Sequence, residues 1–281
     1  MSFLTDPLSY DFMRYALLMG LLIGAFCPVI GAYLVVQRMT MLGDVIAHAV
    51  LPGLVLANFW QIGFAVGAFA SGMIGAAVIN WIRTRSRVKI DAAMALTFAS
   101  FFALGILLLS LLETGLDLES LLFGDILSVT VGNLWQTAVI ALILVALVAC
   151  FYRPLLFFTF DRIGAAAAGL PVAWLEAGLM AAITLTIVVG LQMVGVILVI
   201  ALMVGPAATA YLLVKELHQM MICGAAVGAI ASTVGIYLSY YFDWPTGPAI
   251  ALVVFAGFLL ALLFSPSQGI LTAQSSSKIQ N

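Results

Sequence analysis

The feature that most constrains this chain is a series of apolar runs, each close to the length of a membrane span. About 20 apolar residues in a helix cross the roughly 30 Å hydrocarbon core of a bilayer. With 65% hydrophobic and 8% charged residues among 281, the sequence predicts an all-α polytopic membrane protein. The predicted spans are residues 12–36, 43–60, 62–82, 92–112, 132–152, 173–191, 194–214, 220–241 and 247–264.

The number of spans depends on the stretch from 191 to 214. Gly190, Gly195, Gly205 and Pro206 interrupt it, which is typical of a broken or partly re-entrant helix. We therefore expect eight or nine transmembrane helices within a single transmembrane domain, residues 1–264. The remaining segment, 265–281, is rich in Ser and Gln and is expected to be a disordered cytoplasmic tail.

The charged residues predict the orientation. If the spans alternate, most basic residues fall on one side, which the positive-inside rule assigns to the cytoplasm. These residues are Arg38, Arg83, Arg85, Arg87, Lys89, Arg153, Arg162, Lys215 and Lys278. The N-terminus is then outside and the C-terminus is cytoplasmic. The acidic loop residues on the outer side either form a weakly cation-attracting vestibule or are ordinary polar loop residues.

The most informative polar residues are Asp44 and His48, inside an apolar run. Ionisable residues at membrane depth are costly and usually face a pathway or a partner. The i, i+4 spacing places the carboxylate and the imidazole on one helix face, and this ligand pair suits Mn, Fe or Zn. Two ligands are too few, so others would come from another span, a water or a second subunit. Alternatively, Asp44 caps the helix and His48 only hydrogen-bonds to it.

Two connections are long. Residues 113–131 alternate acidic and apolar residues and predict a short amphipathic helix that lies at the outer surface or dips inward. Residues 153–172 contain an Ala-rich helical patch ended by Gly169 and Pro171. That patch is either a docking element for a soluble cytoplasmic partner or a plain turn. Nucleotide-binding and hydrolase motifs are absent from the sequence, which predicts that the chain is not an enzyme, and the net charge of −2 without a basic stripe argues against nucleic acid as a partner.

Five segments resemble the ABC-3 family, the membrane permeases of bacterial ABC importers for manganese, zinc and iron(II). In chain order they are VVQRMTMLGDVIAHAVLPGLVLA, LESLLFGDIL, FDRIGAAAAGLP, VGVILVIALMVGPAATAYLL and DWPTGPAIAL. Together they span nearly the whole chain. The Leu-Gly-Asp-x-x-x-His-x-x-x-Pro-Gly pattern is more similar to the manganese and iron branch than to the zinc branch.

The resemblance implies a role for particular residues. Asp44 and His48 would be pore metal ligands, and two permease copies, identical or paralogous, would bring four ligands to a shared axis. A coupling helix at about 161–170 would seat in a cytoplasmic ABC ATPase dimer, and its implied residues are Asp161, Arg162, Gly164, Gly169 and Leu170. An extracytoplasmic metal-binding protein would dock outside, with possible contacts at Glu113, Asp117, Glu119 and Asp243.

The function implied is therefore an ATP-driven permease for Mn²⁺, or for Fe²⁺ or Zn²⁺, in the bacterial inner membrane, without a permanently bound cofactor. Two other transporters stay open: a secondary metal transporter driven by an ion gradient, and an ABC permease for siderophores or corrinoids. The first would need no ATPase. The second should prefer a wide cavity to a pair of metal ligands.

Overall fold

The computed structural model describes residues 7–112, 124 and 126–265, and all of the regular structure in these ranges is helical. Apart from two 3₁₀ turns, Pro7–Ser9 and Ile126–Ser128, the elements are α-helices. They are α1 (Asp11–Val36), α2 (Met41–Ala49), α3 (Leu51–Phe59), α4 (Phe64–Arg85), α5 (Ile90–Leu112), α6 (Val131–Cys150), α7 (Tyr152–Phe160), α8 (Arg162–Ala167), α9 (Val172–Leu213), α10 (Leu217–Phe242) and α11 (Thr246–Phe264).

Eight helical segments of the described chain are long and apolar enough to cross a membrane, with α2 and α3 counted together as Met41–Phe59. The short α7 and α8 lie between spans. The predicted all-α membrane architecture with eight or nine spans is thereby confirmed, and each helix end lies within a few residues of the boundary expected from the apolar runs.

Helix α9 is a helical hairpin whose two arms each run the length of the bundle. Its 42 residues would extend about 63 Å if straight, roughly twice the hydrocarbon thickness. Gly195 has a φ of 80° and a ψ of 167°, which breaks the helix. A Cβ on Gly190 would lie 2.5 Å from Cγ2 of Val199, although residues nine apart on a straight helix are about 13 Å apart along the axis. The chain therefore reverses at Gly195, and the eight segments make nine passes.

The two arms of α9, residues 172–194 and 196–213, begin and end at the same end of the bundle. Glu176, in the first arm, contacts Arg83 and Arg162. Residues that follow the second arm line a cavity with Val36 and Arg38. We call this the basic end, and it carries Arg38, Arg83, Arg85, Arg87, Lys89, Arg153, Arg162 and Lys215.

The turn of the hairpin lies at the opposite end. A Cβ on Gly124 would lie 2.3 Å from the backbone nitrogen of Gly195, so the outer connection packs directly on the turn. Both glycines have positive φ angles, 62° and 80°, which side chains rarely tolerate. Most of the predicted amphipathic helix at 113–131 lies outside the described residues.

The core of the bundle is built around α1, which packs against the second arm of α9 and against α10. A Cβ on Gly31 would lie 1.8 Å from the carbonyl oxygen of Met203, and one on Gly228 would lie 2.1 Å from that of Gly24. Such close backbone approach replaces the hydrophobic effect as the source of helix association in lipid. The bundle ends at Ser265, whose buried hydroxyl donates to the carbonyl of Leu212 at 2.5 Å. Residues 266–281 of the expected tail lie outside the described residues.

Candidate functional site

The helix that carries Asp44 and His48 ends immediately after them. Pro52 has no backbone N–H, so the carbonyl of His48 loses its usual donor four residues on, and α2 stops at Ala49 before α3 begins at Leu51. The hydroxyl of Ser71 on α4 donates to the carbonyl of Ala49 at 2.6 Å. This bond joins α4 to the carbonyl next to the one that Pro52 leaves without its donor, at a depth where lipid offers no partner.

The imidazole of His48 has a defined orientation. Its Nδ1 lies 2.9 Å from the backbone oxygen of Asp44 and 3.4 Å from that residue's Oδ1. A carbonyl oxygen only accepts, so Nδ1 carries the hydrogen in this contact. In the neutral ring Nε2 then carries the lone pair, which is the arrangement that a metal-binding histidine needs.

Two phenylalanines of α5 hold this ring from the side. The ring centroids of Phe98 and Phe102 lie 4.7 and 5.4 Å from that of His48, both edge-on. The side chain of His48 is 15% exposed, whereas that of Asp44 is 38% exposed. The aromatic pair therefore restricts the imidazole, while the carboxylate faces more open space. These phenylalanines were not predicted as site residues, although their i, i+4 spacing is visible in the sequence.

Within one chain, Asp44 and His48 offer too few ligands to hold a metal ion by themselves. Across the described ranges, no group of three or more His, Cys, Asp or Glu side chains could hold a metal ion. The helix-capping alternative for Asp44 is wrong, because Thr40 is the N-cap and α2 begins at Met41. The other part of that alternative, a contact between the two residues, is present. The arrangement can contribute one nitrogen and one carboxylate to an ion, and other ligands must come from elsewhere.

The segment 161–170 forms a short capped helix at the basic end. Asp161 caps α8 by accepting a hydrogen bond from the N–H of Gly164 at 2.8 Å. A Cβ on Gly164 would lie 2.2 Å from Oδ2 of Asp161, so the glycine makes room for this cap. Gly169 has a φ of 81°, and its N–H and that of Leu170 each reach a carbonyl of α8 at 3.0 Å. The two glycines therefore begin and end the helix.

The exposed face of this segment is apolar, although the segment lies beyond the membrane spans. Ile163 is 84% exposed, more than any other large hydrophobic residue among those described, and Phe160 is 65% exposed. Exposed apolar residues at a polar end of a membrane protein are typical of a contact surface.

A buried ion cluster anchors α8 to the bundle. Arg162 holds Glu176 with both nitrogens, Nη1 to Oε1 at 2.9 Å and Nη2 to Oε2 at 2.5 Å. Arg83 of α4 also donates to Oε1. From the sequence, Arg83 contributed only to the predicted orientation, Arg162 was assigned to the coupling helix, and Glu176 was not selected. The available signal was a single acid in the apolar run VAWLEAGLM.

The expected docking acids are only partly described. Asp243 is exposed at the opposite end, where its φ of 52° ends α10. Glu113, Asp117 and Glu119 lie outside the described residues.

Comparison with known proteins identifies the family. The ABC 3 transport family matches residues 9–265. The chain is 39% identical over 280 residues to the manganese transport system membrane protein MntC of Listeria monocytogenes, with 100% of both chains covered. It is 36% identical over 269 residues to a probable iron transport system membrane protein of Haemophilus influenzae, which covers 96% of this chain and 95% of that one.

A solved structure, PsaBC from Streptococcus pneumoniae in complex with Fab, has a TM-score of 0.87 at 33% identity and covers 100% of this chain and 99% of that one. The family resemblance inferred from five sequence segments is therefore confirmed over the full bundle. The chain belongs to the ABC 3 transport family.

Proposed function

We propose that this chain is the membrane permease of an ATP-driven importer for divalent transition metals, with Mn²⁺ as the preferred cargo and Fe²⁺ or Zn²⁺ as alternatives. The observation that carries the proposal is the Asp44–His48 half-site, in which Nε2 has the lone pair and the carboxylate is 38% exposed. Imidazole and carboxylate suit these metals. Relatives named for manganese and iron transport support the same choice.

Two copies of the permease complete the site in this proposal. Each copy contributes His48 and Asp44, so that four ligands surround the translocation axis. A permeating ion needs a site that it can also leave, and few ligands from two separate chains favour release. The greater exposure of Asp44 relative to His48 fits a carboxylate that points toward a second copy.

The basic end faces the cytoplasm by the positive-inside rule, and α8 with its exposed Ile163 is the coupling helix that an ABC ATPase dimer contacts. Nine passes then put the N-terminus outside and the C-terminus inside. A metal-loaded binding protein docks at the opposite end, where Asp243 is exposed. Contacts to Glu113, Asp117 and Glu119 stay a prediction. ATP binding and hydrolysis in the partner alternate the access of the half-sites to the two sides.

Uptake of radioactive Mn²⁺ tests this proposal. The chain and its partner subunits are expressed in a bacterium that lacks manganese uptake, beside the near-isosteric variants Asp44→Asn and His48→Gln. We expect each variant to insert and assemble normally but to lose at least about 100-fold in uptake, because loss of a ligand exceeds the 10–100-fold cost of losing a supporting contact. Asp11→Asn is the matched control, because Asp11 is an exposed carboxylate at the start of α1, away from Asp44 and His48.

Wild-type uptake by either ligand variant would refute the ligand assignment. Uptake into membrane vesicles that continues without ATP would instead select the gradient-driven transporter. Inhibition only by chelated metal would select the siderophore permease.

A further inference from the structure

We infer that the cluster of Arg83, Glu176 and Arg162 transmits movement of α8 to the span that carries the metal half-site. Glu176 is then a positioning residue for coupling between ATP hydrolysis and transport. The inference rests on the proposed function, since it needs α8 to be the segment that the ATPase moves.

The cluster is more than a surface ion pair. The side chain of Glu176 is only 7% exposed and lies near the start of the first arm of α9. A buried carboxylate is tolerated only when charged or hydrogen-bonding partners satisfy it. Here two guanidinium groups do so, and they come from α4 and α8. Three separate elements are therefore joined at a single carboxylate.

The two arginines differ in how easily they can leave. Arg162 is 42% exposed and Arg83 is 26% exposed. A guanidinium released toward water regains hydration, whereas one released inside the bundle does not. Arg162 is also the residue that belongs to α8, and its guanidinium carbon lies 5.5 Å from the ring centre of Phe158 on α7. A shift of α8 therefore breaks the contact between Arg162 and Glu176 first, and Glu176 then remains paired with Arg83 alone.

The inner side of the cluster reaches the half-site helix. Glu176 and Arg83 line a small cavity together with Met39 and Leu42. Leu42 is fully buried and lies two residues before Asp44 on α2. A Cβ on the next residue, Gly43, would lie 2.5 Å from Cε of Met203. Because the fully buried Leu42 shares this cavity with Glu176 and Arg83, a change in the cluster alters the packing of α2 within two residues of Asp44.

The test measures transport and ATP hydrolysis on the same sample. The purified permease and its ATPase are reconstituted in proteoliposomes with the binding protein, and Mn²⁺ uptake is counted against phosphate released. In Arg162→Gln we expect ATP hydrolysis to continue while ions transported per ATP fall at least about fivefold, the lower bound of typical couplings between sites. Arg162→Lys keeps the charge but not the two-point contact, so its number of ions transported per ATP should lie between those of the wild type and Arg162→Gln. Arg85→Gln, an exposed arginine at the same end, should match the wild type.

A double variant separates coupling from stability. If Arg162 acts through Glu176, then Arg162→Gln should have little further effect on ions per ATP once Glu176→Gln is present, because residues in one network are not additive. Additive losses, or an Arg162→Gln protein with wild-type ions per ATP, would overturn the inference. If Arg162→Gln does not assemble, the comparison of Arg162→Lys with Arg85→Gln decides in its place. Absence of ATP-dependent uptake in the unmodified protein would refute the proposed function itself and, with it, this inference.

Discussion

Two polar clusters in the described part of the bundle treat a carboxylate in opposite ways. Asp44 has one imidazole beside it and is 38% exposed. Glu176 has two guanidinium groups on its two oxygens and is 7% exposed. The first leaves ligand capacity unused, while the second has both of its oxygens engaged by guanidinium groups. A site through which an ion passes needs carboxylate oxygens that the protein itself does not occupy. A contact that holds three helices together needs those oxygens to be paired.

The surrounding backbone differs in the same sense. The half-site stands on a helix that Pro52 interrupts, with Ser71 bonded to the carbonyl of Ala49 beside the interruption. The buried cluster joins the uninterrupted start of the first arm of α9 to α4 and α8. A proline-interrupted helix and a partly unused carboxylate therefore occur together at one cluster, and a continuous helix and a carboxylate paired through both oxygens at the other.

The largest effect on stability is expected at the buried cluster. Glu176→Ala leaves two guanidinium groups without their carboxylate, which should lower the free energy of unfolding by about 2–4 kcal/mol, somewhat below the usual range for buried pairs because Arg162 is partly exposed. Asp44→Ala removes a half-exposed carboxylate and should cost less than about 1 kcal/mol. Thermal unfolding in detergent, read for both variants, measures the contrast.

Equal destabilisation by Glu176→Ala and Asp44→Ala would break the comparison, since it would mean that both carboxylates are structural. Asp11→Ala, at an exposed pair with Arg14, provides the baseline for a carboxylate of little structural value.

Much of this fold could be predicted because lipid imposes length and composition on each span. The predicted end of α1 at residue 36 and the predicted end of α11 at residue 264 match the observed ends. Glycines and a proline around residues 191–214 predicted a break, but the sequence left open whether the chain makes one broken span or two separate spans there. The reversal depends on contacts such as that of Gly190 with Val199, which no local pattern specifies.

The site was predictable only where its residues are neighbours in sequence. Asp44 and His48 lie one helical turn apart, so their shared face follows from helix geometry. Glu176 lies 93 positions from Arg83, and their contact depends on how α4 and α9 pack. The same holds for Phe98, whose role follows from the position of α5 beside α2 and not from its own sequence context.

An intermediate effect is expected from the aromatic residues that fix the half-site. Phe98→Leu removes the nearer edge-on contact to His48 while keeping an apolar side chain. We expect Mn²⁺ uptake to fall about tenfold, because supporting contacts of a metal ligand are typically worth 10–100-fold, with little change in unfolding temperature. Phe101→Leu is the matched control on the same helix, since Phe101 lies near Gly75 instead.

Unchanged uptake in Phe98→Leu would show that the backbone hydrogen bond to Asp44 orients the imidazole without aromatic help. The half-site would then be looser than the comparison with the Glu176 cluster requires. A similar loss in Phe101→Leu would point to a general packing defect in α5.

The smallest effect is expected at the cap of α8, and it sharpens the separation between the two clusters. Gly164→Ala places a methyl group against the carboxylate of Asp161, which should cost roughly the 1 kcal/mol of a helix N-cap. Because α8 carries Arg162, we expect weaker co-purification with the ATPase but unchanged Mn²⁺ binding at Asp44 and His48. Gly178→Ala, where a Cβ meets no atom within 4 Å, should leave both measurements intact. If Gly164→Ala altered metal binding as strongly as ATPase association, the half-site and α8 would form one rigid unit. The contrast between the open carboxylate of Asp44 and the paired carboxylate of Glu176 would then not reflect two separate roles.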